Sequence, residues 1–185
     1  MGLKSDRWIR RMAFEAGMID PFEAKMVRQG VISYGLSSYG YDLRLGHVLY
    51  RFRAEGGVID PKGFDRSLLE RVEGESFILP PHGYALGTVM EFLRLPHDVM
   101  GLVWGKSTYA RAGLIVNVTP LEPGWEGRLT IALSNATPLP LKLYAGEGIA
   151  QVLFWEGDTP PMLSYADRGG KYQGAAEVAP PRVER

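Results

Sequence analysis

Apolar and polar residues along this chain follow a short period. In HVLYRFR (47–53), Val48, Tyr50 and Phe52 fall on one face, the alternation expected of a half-buried strand. Further short apolar runs follow: SFILP (76–80), YALGTVM (84–90), VMGLVW (99–104), LIVNV (114–118), RLTIALS (128–134), LPLKLYA (139–145) and IAQVLFW (149–155). Gly, Pro, Asn and Asp break the chain between most of them. Many short strands at this spacing predict a sandwich, jelly roll or barrel. No long helical stretch separates them, which argues against a doubly wound parallel sheet.

One segment has the longer period. Across residues 5–18, Trp8, Ile9, Met12, Ala13 and Ala16 form a single stripe at helical spacing. Ser5 is placed to cap this helix, Asp6 suits its first turn, and Gly17 and Pro21 mark its end. From Tyr165 onward the chain is rich in Gly, Pro and charge, which predicts a mobile tail.

A length of 185 residues suits one domain, taken here as 1–185. No apolar run approaches the roughly 18–20 residues needed to span a bilayer, so no membrane partner is expected. The first residues lack the apolar core of a secretory signal, and Asp6 stands where a myristoylation site needs Ser or Thr. A cytoplasmic location is the expectation. The absence of cysteine excludes disulfides, thiolate metal sites and cysteine nucleophiles. Zero formal net charge argues against sequence-independent binding of nucleic acid but leaves room for a compact anion.

The stretch GLVWGKSTYARAG (101–113) contains the letters of a phosphate-binding loop. A Walker A loop needs two glycines five positions apart, then Lys and Ser or Thr, between a strand and a helix. Here Gly101 and Gly105 are four apart, and YARAGLIVNV soon returns to a strand. The ATPase reading fails on spacing and context. The chemistry survives: Gly105 permits close backbone approach, Ser107 and Thr108 are hydroxyl donors, and Lys106 and Arg111 are cations. Spacing alone favours a surface turn with ordinary solvated charges.

The longer segment GKSTYARAGLIVNVTPLEPGWEGRLTIALSN (105–135) closely resembles the dCTP deaminase family, relatives of the trimeric dUTPases. KSDRWIRRM (4–12), ISYGLSSYGYDLRLG (32–46), VIDPK (58–62), EGIAQVLF (147–154) and SYADRGGKYQG (164–174) resemble the same family, in order. The resemblance implies an all-β, distorted jelly-roll or β-barrel fold of dUTPase-like type. It carries a short N-terminal helix and a mobile C-terminal flap over residues 165–185. It implies a homotrimer whose sites are shared between subunits. The implied reaction is hydrolytic deamination of dCTP to dUTP and ammonia, supplying dUMP and dTTP synthesis. Mg2+ would ride on the triphosphate, no zinc would be used, and dTTP is a possible inhibitor. Zinc deaminases need a His or Cys and two further Cys ligands. This chain has no Cys, and His47, His82 and His97 are scattered; they read as surface or structural residues.

Carried over residue by residue, the match makes the segment Lys106, Ser107, Thr108, Tyr109, Ala110 and Arg111 wrap the triphosphate and the reaction centre. Lys106, Ser107 and Thr108 would contact phosphate oxygens, while Ser107 and Arg111 would organise the reacting water and base. Asn117, Thr119 and Glu122 match the sugar and base pocket, along with Thr130, Ile131 and position 132. Gln151 matches a nucleotide contact within an apolar run. Tyr165, Lys171 and Gln173 match the flap over the phosphates, with glycines at 169, 170 and 174 to let it move. Trp125 reads as a packing residue. The bland alternatives are a surface ion pair for Arg111, an amide satisfied by backbone for Gln151, and a loop anchor for Glu122.

One position departs from the pattern. In RLTIALS, Leu129, Ile131 and Leu133 share one face, and Arg128, Thr130, Ala132 and Ser134 share the other. The family motif has Glu where this chain has Ala132, and that Glu is the proton shuttle. Losing a general base typically costs about 10²–10⁴-fold in rate. Three explanations stand: an engineered substrate trap, a natural homologue that binds without turnover, or a shifted mechanism using Glu122 or Glu126. Two other functions remain open: a dUTPase-like or bifunctional pyrophosphatase releasing dUMP, and a non-catalytic nucleotide-binding regulator.

Overall fold

A computed structural model describes residues 2–53 and 57–183. Twelve strands run in chain order: β1 (Gly2–Leu3), β2 (Ile19–Asp20), β3 (Gly35–Ser37), β4 (Gly40–Phe52), β5 (Leu69–Glu73), β6 (Ser76–Leu79), β7 (Tyr84–Arg94), β8 (Val99–Gly105), β9 (Leu114–Asn117), β10 (Glu126–Asn135), β11 (Leu141–Tyr144) and β12 (Gly148–Glu156). Two α-helices are present among the described residues, α1 (Asp6–Ala16) and α2 (Ser107–Arg111). Ten strands form one curled sheet whose main path is β1-β12-β4-β7-β10-β9. β2 pairs with β7, β3 and β5 pair with β4, and β8 pairs with β12, while β6 and β11 form a separate two-stranded ribbon. The all-β expectation holds.

β4 makes the curl. Its first part, from Tyr41 to Arg44, pairs with β12, and its second part pairs with β7 and β5. The register with β7 shifts between Leu45 and Leu49. Such an irregularity bends a strand and carries it from one half of a sheet to the other. Gly87 permits the tight approach at this corner, since a Cβ there would meet Leu49 Cδ2 at 2.6 Å. Tyr41, Leu43, Leu45 and Leu49 of β4 pack with Leu93, Ile131, Leu133 and Phe154 in the core. Each contributes about 2 kcal/mol by leaving water.

A charged pair sits inside this apolar frame. Glu91 of β7 is fully buried, accepts from Arg44 Nε at 2.7 Å and from the Arg44 backbone N–H at 3.0 Å. Burial pushes the Glu91 carboxyl above its ordinary value, and the Arg44 guanidinium opposes the shift. The pair ties β4 to β7 where the sheet turns.

The N-terminal helix is shorter than the 5–18 span expected. Ser5 occupies the N-cap position but its side chain makes no capping bond; Gly17 ends the helix in the left-handed region at φ 61°. Ile9 and Ala13 of the predicted stripe are buried, with Trp8 and Met12 packed against the core.

Candidate functional site

The alternation in β10 decides what the site contains. Leu129, Ile131 and Leu133 are buried in the core, and Arg128, Thr130, Ala132 and Ser134 are half-buried on the opposite face. Ala132 pairs with Leu86 of β7 on one side and Asn117 of β9 on the other. Directly opposed residues share a face of a sheet. Leu86, Ala132 and Asn117 accordingly line one cavity of about 700 Å³ together with Thr130 and Arg128. Phe52, Phe64 and Tyr84 make its aromatic wall, and Thr119, Glu122 and Trp125 line it as well. The volume suits a nucleotide-sized ligand.

The C-terminal segment closes one side of this cavity. Tyr165, Tyr172, Ala175, Ala179 and Pro181 are part of its lining. Ala179 N–H donates to Thr130 Oγ1 at 3.0 Å, Trp125 Nε1 donates to the Tyr172 carbonyl at 3.1 Å, and Arg128 N–H donates to the Ala175 carbonyl at 2.6 Å. Gln173 Nε2 donates to the Gly124 carbonyl at 3.2 Å, and Arg168 forms an ion pair with Glu122. The segment expected to be loose is therefore docked on its own chain in this structure. Lys171 is exposed and lies over the Tyr172 ring.

The GKSTYAR motif (105–111) lies elsewhere. β8 ends at Gly105, and residues 107–111 form the single turn α2, a helix that the quick return to a strand in the sequence had concealed. Ser107, Thr108, Ala110 and Arg111 are exposed on it. Arg111 Nη1 donates to the Ser107 carbonyl at 3.1 Å. Tyr109 turns the other way: it is buried, and its hydroxyl accepts from Tyr144 N–H at 2.9 Å. Burial holds its phenol up at about 12, so Tyr109 anchors α2 to the core and its side chain is not free for a ligand. Ile131, also expected at the ligand, has its side chain in the core.

Lys106 does not face outward. Its ammonium, 12% exposed, pairs with Asp42 of β4, which is 2% exposed. Gln151 of β12 sits opposite Asp42 in one ladder and opposite Trp104 in the other, and its Nε2 donates to Ser37 Oγ at 3.0 Å. Burial pushes the Asp42 carboxyl above its ordinary value, with Lys106 opposing. Asp42 carries no signal of its own in the sequence: it lies in YDLRL, a stretch buried on both faces that shows no alternation.

Asn117, Thr119, Glu122, Thr130, Ala132 and Tyr165 are thus brought to one cavity, whereas Lys106 to Arg111, Gln151, Lys171 and Gln173 are not part of its lining. Phe52, Phe64, Tyr84 and Leu86 were not anticipated; aromatic and aliphatic strand residues look the same in sequence whether they face a core or a cavity. Trp125 is buried in the core and also borders the cavity. Among the described residues no three His, Cys, Asp or Glu side chains cluster in a metal-binding arrangement. His47 lies 3.3 Å from Glu75 at the surface, and His82 and His97 are exposed.

Comparison with known proteins gives a consistent picture. The family described as dCTP deaminase-like matches residues 3–157. A dCTP deaminase from Gemmatimonas aurantiaca is 55% identical over 184 residues, covering 99% of this chain and 100% of the relative. A dCTP deaminase from Acidobacterium capsulatum is 53% identical over the same length and the same shares. Among solved structures, the 2'-deoxycytidine 5'-triphosphate deaminase from Agrobacterium tumefaciens superimposes with a TM-score of 0.65 at 24% identity. The match covers 84% of this chain and 48% of that one, and it bears on the fold alone.

Proposed function

Because the chain belongs to the dCTP deaminase-like family, we propose that it binds magnesium-bound dCTP and that its reaction is hydrolytic deamination, slowed here by Ala132. The pyrimidine and sugar occupy the cavity between Asn117, Thr119, Thr130 and Ala132. The phosphates meet the exposed donors of α2, Ser107 and Thr108, with the cation of Arg111 beside them. Lys106 serves from its pairing with Asp42. Magnesium arrives with the triphosphate as part of the substrate.

One observation carries the reading: the cavity residues and the 106–111 segment belong to one family motif yet do not line one cavity in a single chain. A site completed by a neighbouring copy, in a homotrimer, reconciles the two. The tail then supplies Tyr165, Lys171 and Gln173 as a cover for the phosphates.

The chemistry needs a proton carrier. Water adds to C4 of the cytosine ring and loses one proton, which passes to the ring nitrogen; the C4 hydroxyl then gives up its remaining proton to the exocyclic amine, the C4–amine bond breaks, and ammonia leaves as C4 becomes a carbonyl. dCTP and water become dUTP and ammonia. A carboxylate at position 132, on the cavity face of β10, is placed for these transfers. Alanine has no group to do so. Its methyl also adds no negative charge near the triphosphate, which favours binding over turnover.

A second reading has its own support. Glu122 lines the same cavity and is held by Arg168. A carboxylate there suits activation of water against the phosphate chain, so that dUTP formed by deamination takes up a second water and becomes dUMP and pyrophosphate. Product analysis after long incubation with Mg2+ and dCTP separates the two. We expect dUTP and ammonia in equal amounts; pyrophosphate in step with dUMP replaces deamination alone with the second reading.

A further inference from the structure

We propose that Asp42 is a positioning residue of the nucleotide site, holding the Lys106 ammonium and through it the backbone that presents Ser107, Thr108 and Arg111. The inference rests on the reading of residues 106–111 as the triphosphate segment.

Three strands converge on this carboxylate. Asp42 stands opposite Gln151 of β12 and opposite Gly35 of β3. Gln151 stands opposite Trp104, two residues before Lys106, and Lys106 N–H donates to the Ile149 carbonyl at 3.0 Å. The Lys106 backbone is therefore fixed to β12 while its side chain reaches across to β4. Lys106 is the N-cap residue of α2, and it makes no side-chain capping bond there. Ala110 N–H donates to its carbonyl at 2.9 Å. A five-residue helix cannot hold itself, because nucleation of one turn is unfavourable. It is instead tied to the strands at two points: Lys106 to Asp42 of β4 at the start, Tyr109 to Tyr144 of β11 in the middle.

Asp42 is a costly residue to bury merely for packing. Among the described residues its Oδ1 has no hydrogen-bond partner, and Asp42 is 2% exposed. An apolar pair of similar volume would serve packing at lower cost. Arg28 is a further cation whose charge acts on Asp42. What the Asp42–Lys106 pair secures is direction: a lysine with four rotatable bonds is held in one orientation at the mouth of α2.

The test is a double-mutant cycle on dCTP affinity in the presence of Mg2+, using Asp42→Asn, Lys106→Met and the two together. Asp42→Asn is expected to weaken dCTP about tenfold while leaving deoxycytidine within about twofold. In the Lys106→Met background it should add less than about a twofold loss. A purely structural role predicts losses that multiply, and that result overturns the proposal. So does an unchanged affinity in Asp42→Asn. If Lys106→Met, Ser107→Ala and Arg111→Ala all leave dCTP affinity unchanged, the reading of the segment itself falls and takes the proposal with it. A Lys106 effect without an Asp42 effect removes the proposal alone. Should either single variant fail to fold, the paired variant removes both buried charges at once, which proteins tolerate far better. Its amide exchange across residues 107–111 should quicken at least about tenfold while β10 keeps its protection; unchanged exchange there overturns the proposal.

Discussion

Asn117 and Ala132 stand directly opposite each other in the β9–β10 ladder, and both open into the cavity that Thr130 and Glu122 also line. Asn117 supplies an amide with two donors and an acceptor beside a position that offers nothing. Replacing it by Leu keeps the volume and removes the polar group. We expect Asn117→Leu to weaken deoxycytidine and dCTP alike, by about tenfold, since one lost hydrogen bond in a shielded site is worth about 1.5 kcal/mol. Titration of both ligands checks this, and a loss confined to dCTP would move Asn117 away from the nucleoside.

Lys171 should behave in the opposite way. Its side chain is exposed and rests on the Tyr172 ring, free to meet an anion. Lys171→Ala is expected to weaken dCTP about tenfold while deoxycytidine affinity stays within about twofold. Equal weakening of both ligands would contradict the flap assignment.

Thr130 links the tail to the cavity floor through the Ala179 N–H. Thr130→Val is nearly isosteric and removes that acceptor. The bond is worth about 1 kcal/mol, so amide exchange at Ala179 should rise about fivefold, with the core strands unchanged. Exchange measured by mass spectrometry on the unliganded protein reads this directly.

Glu91 makes stability depend on pH. Its folded-state value is raised by burial above the ordinary 4.5. The folded protein thus binds this proton more tightly than the unfolded chain does. The stabilisation is full below 4.5 and is lost as pH rises through the raised folded value. Glu91→Gln removes that dependence, although it leaves Arg44 without its partner. Urea unfolding across this window should show the variant gaining on the parent as pH increases. A difference that moves the other way would mean that Arg44 outweighs burial.

The sequence was most legible where one side of an element meets water. β10 alternates because its two faces differ, and so the cavity residues Thr130 and Ala132 could be separated from Leu129, Ile131 and Leu133 by counting. The first half of β4 carries no such signal, because Tyr41, Asp42 and Leu43 are all buried; with it went Asp42 itself. β1, β2 and β3 are two or three residues long, too short for any period to show. α2 is one turn held by Tyr109 and Lys106 rather than by its own propensity. The direction of Lys106 was not legible at all, since its partner lies 64 residues away in sequence.

The central claim is that position 132 lacks the group that carries protons for deamination, and the most direct measurement is ammonia release from dCTP by this chain beside Ala132→Glu. The account predicts a rise of at least about 10²-fold in kcat for Ala132→Glu, with dUTP as its product. Equal rates in the two proteins, with dCTP bound by both, would contradict it.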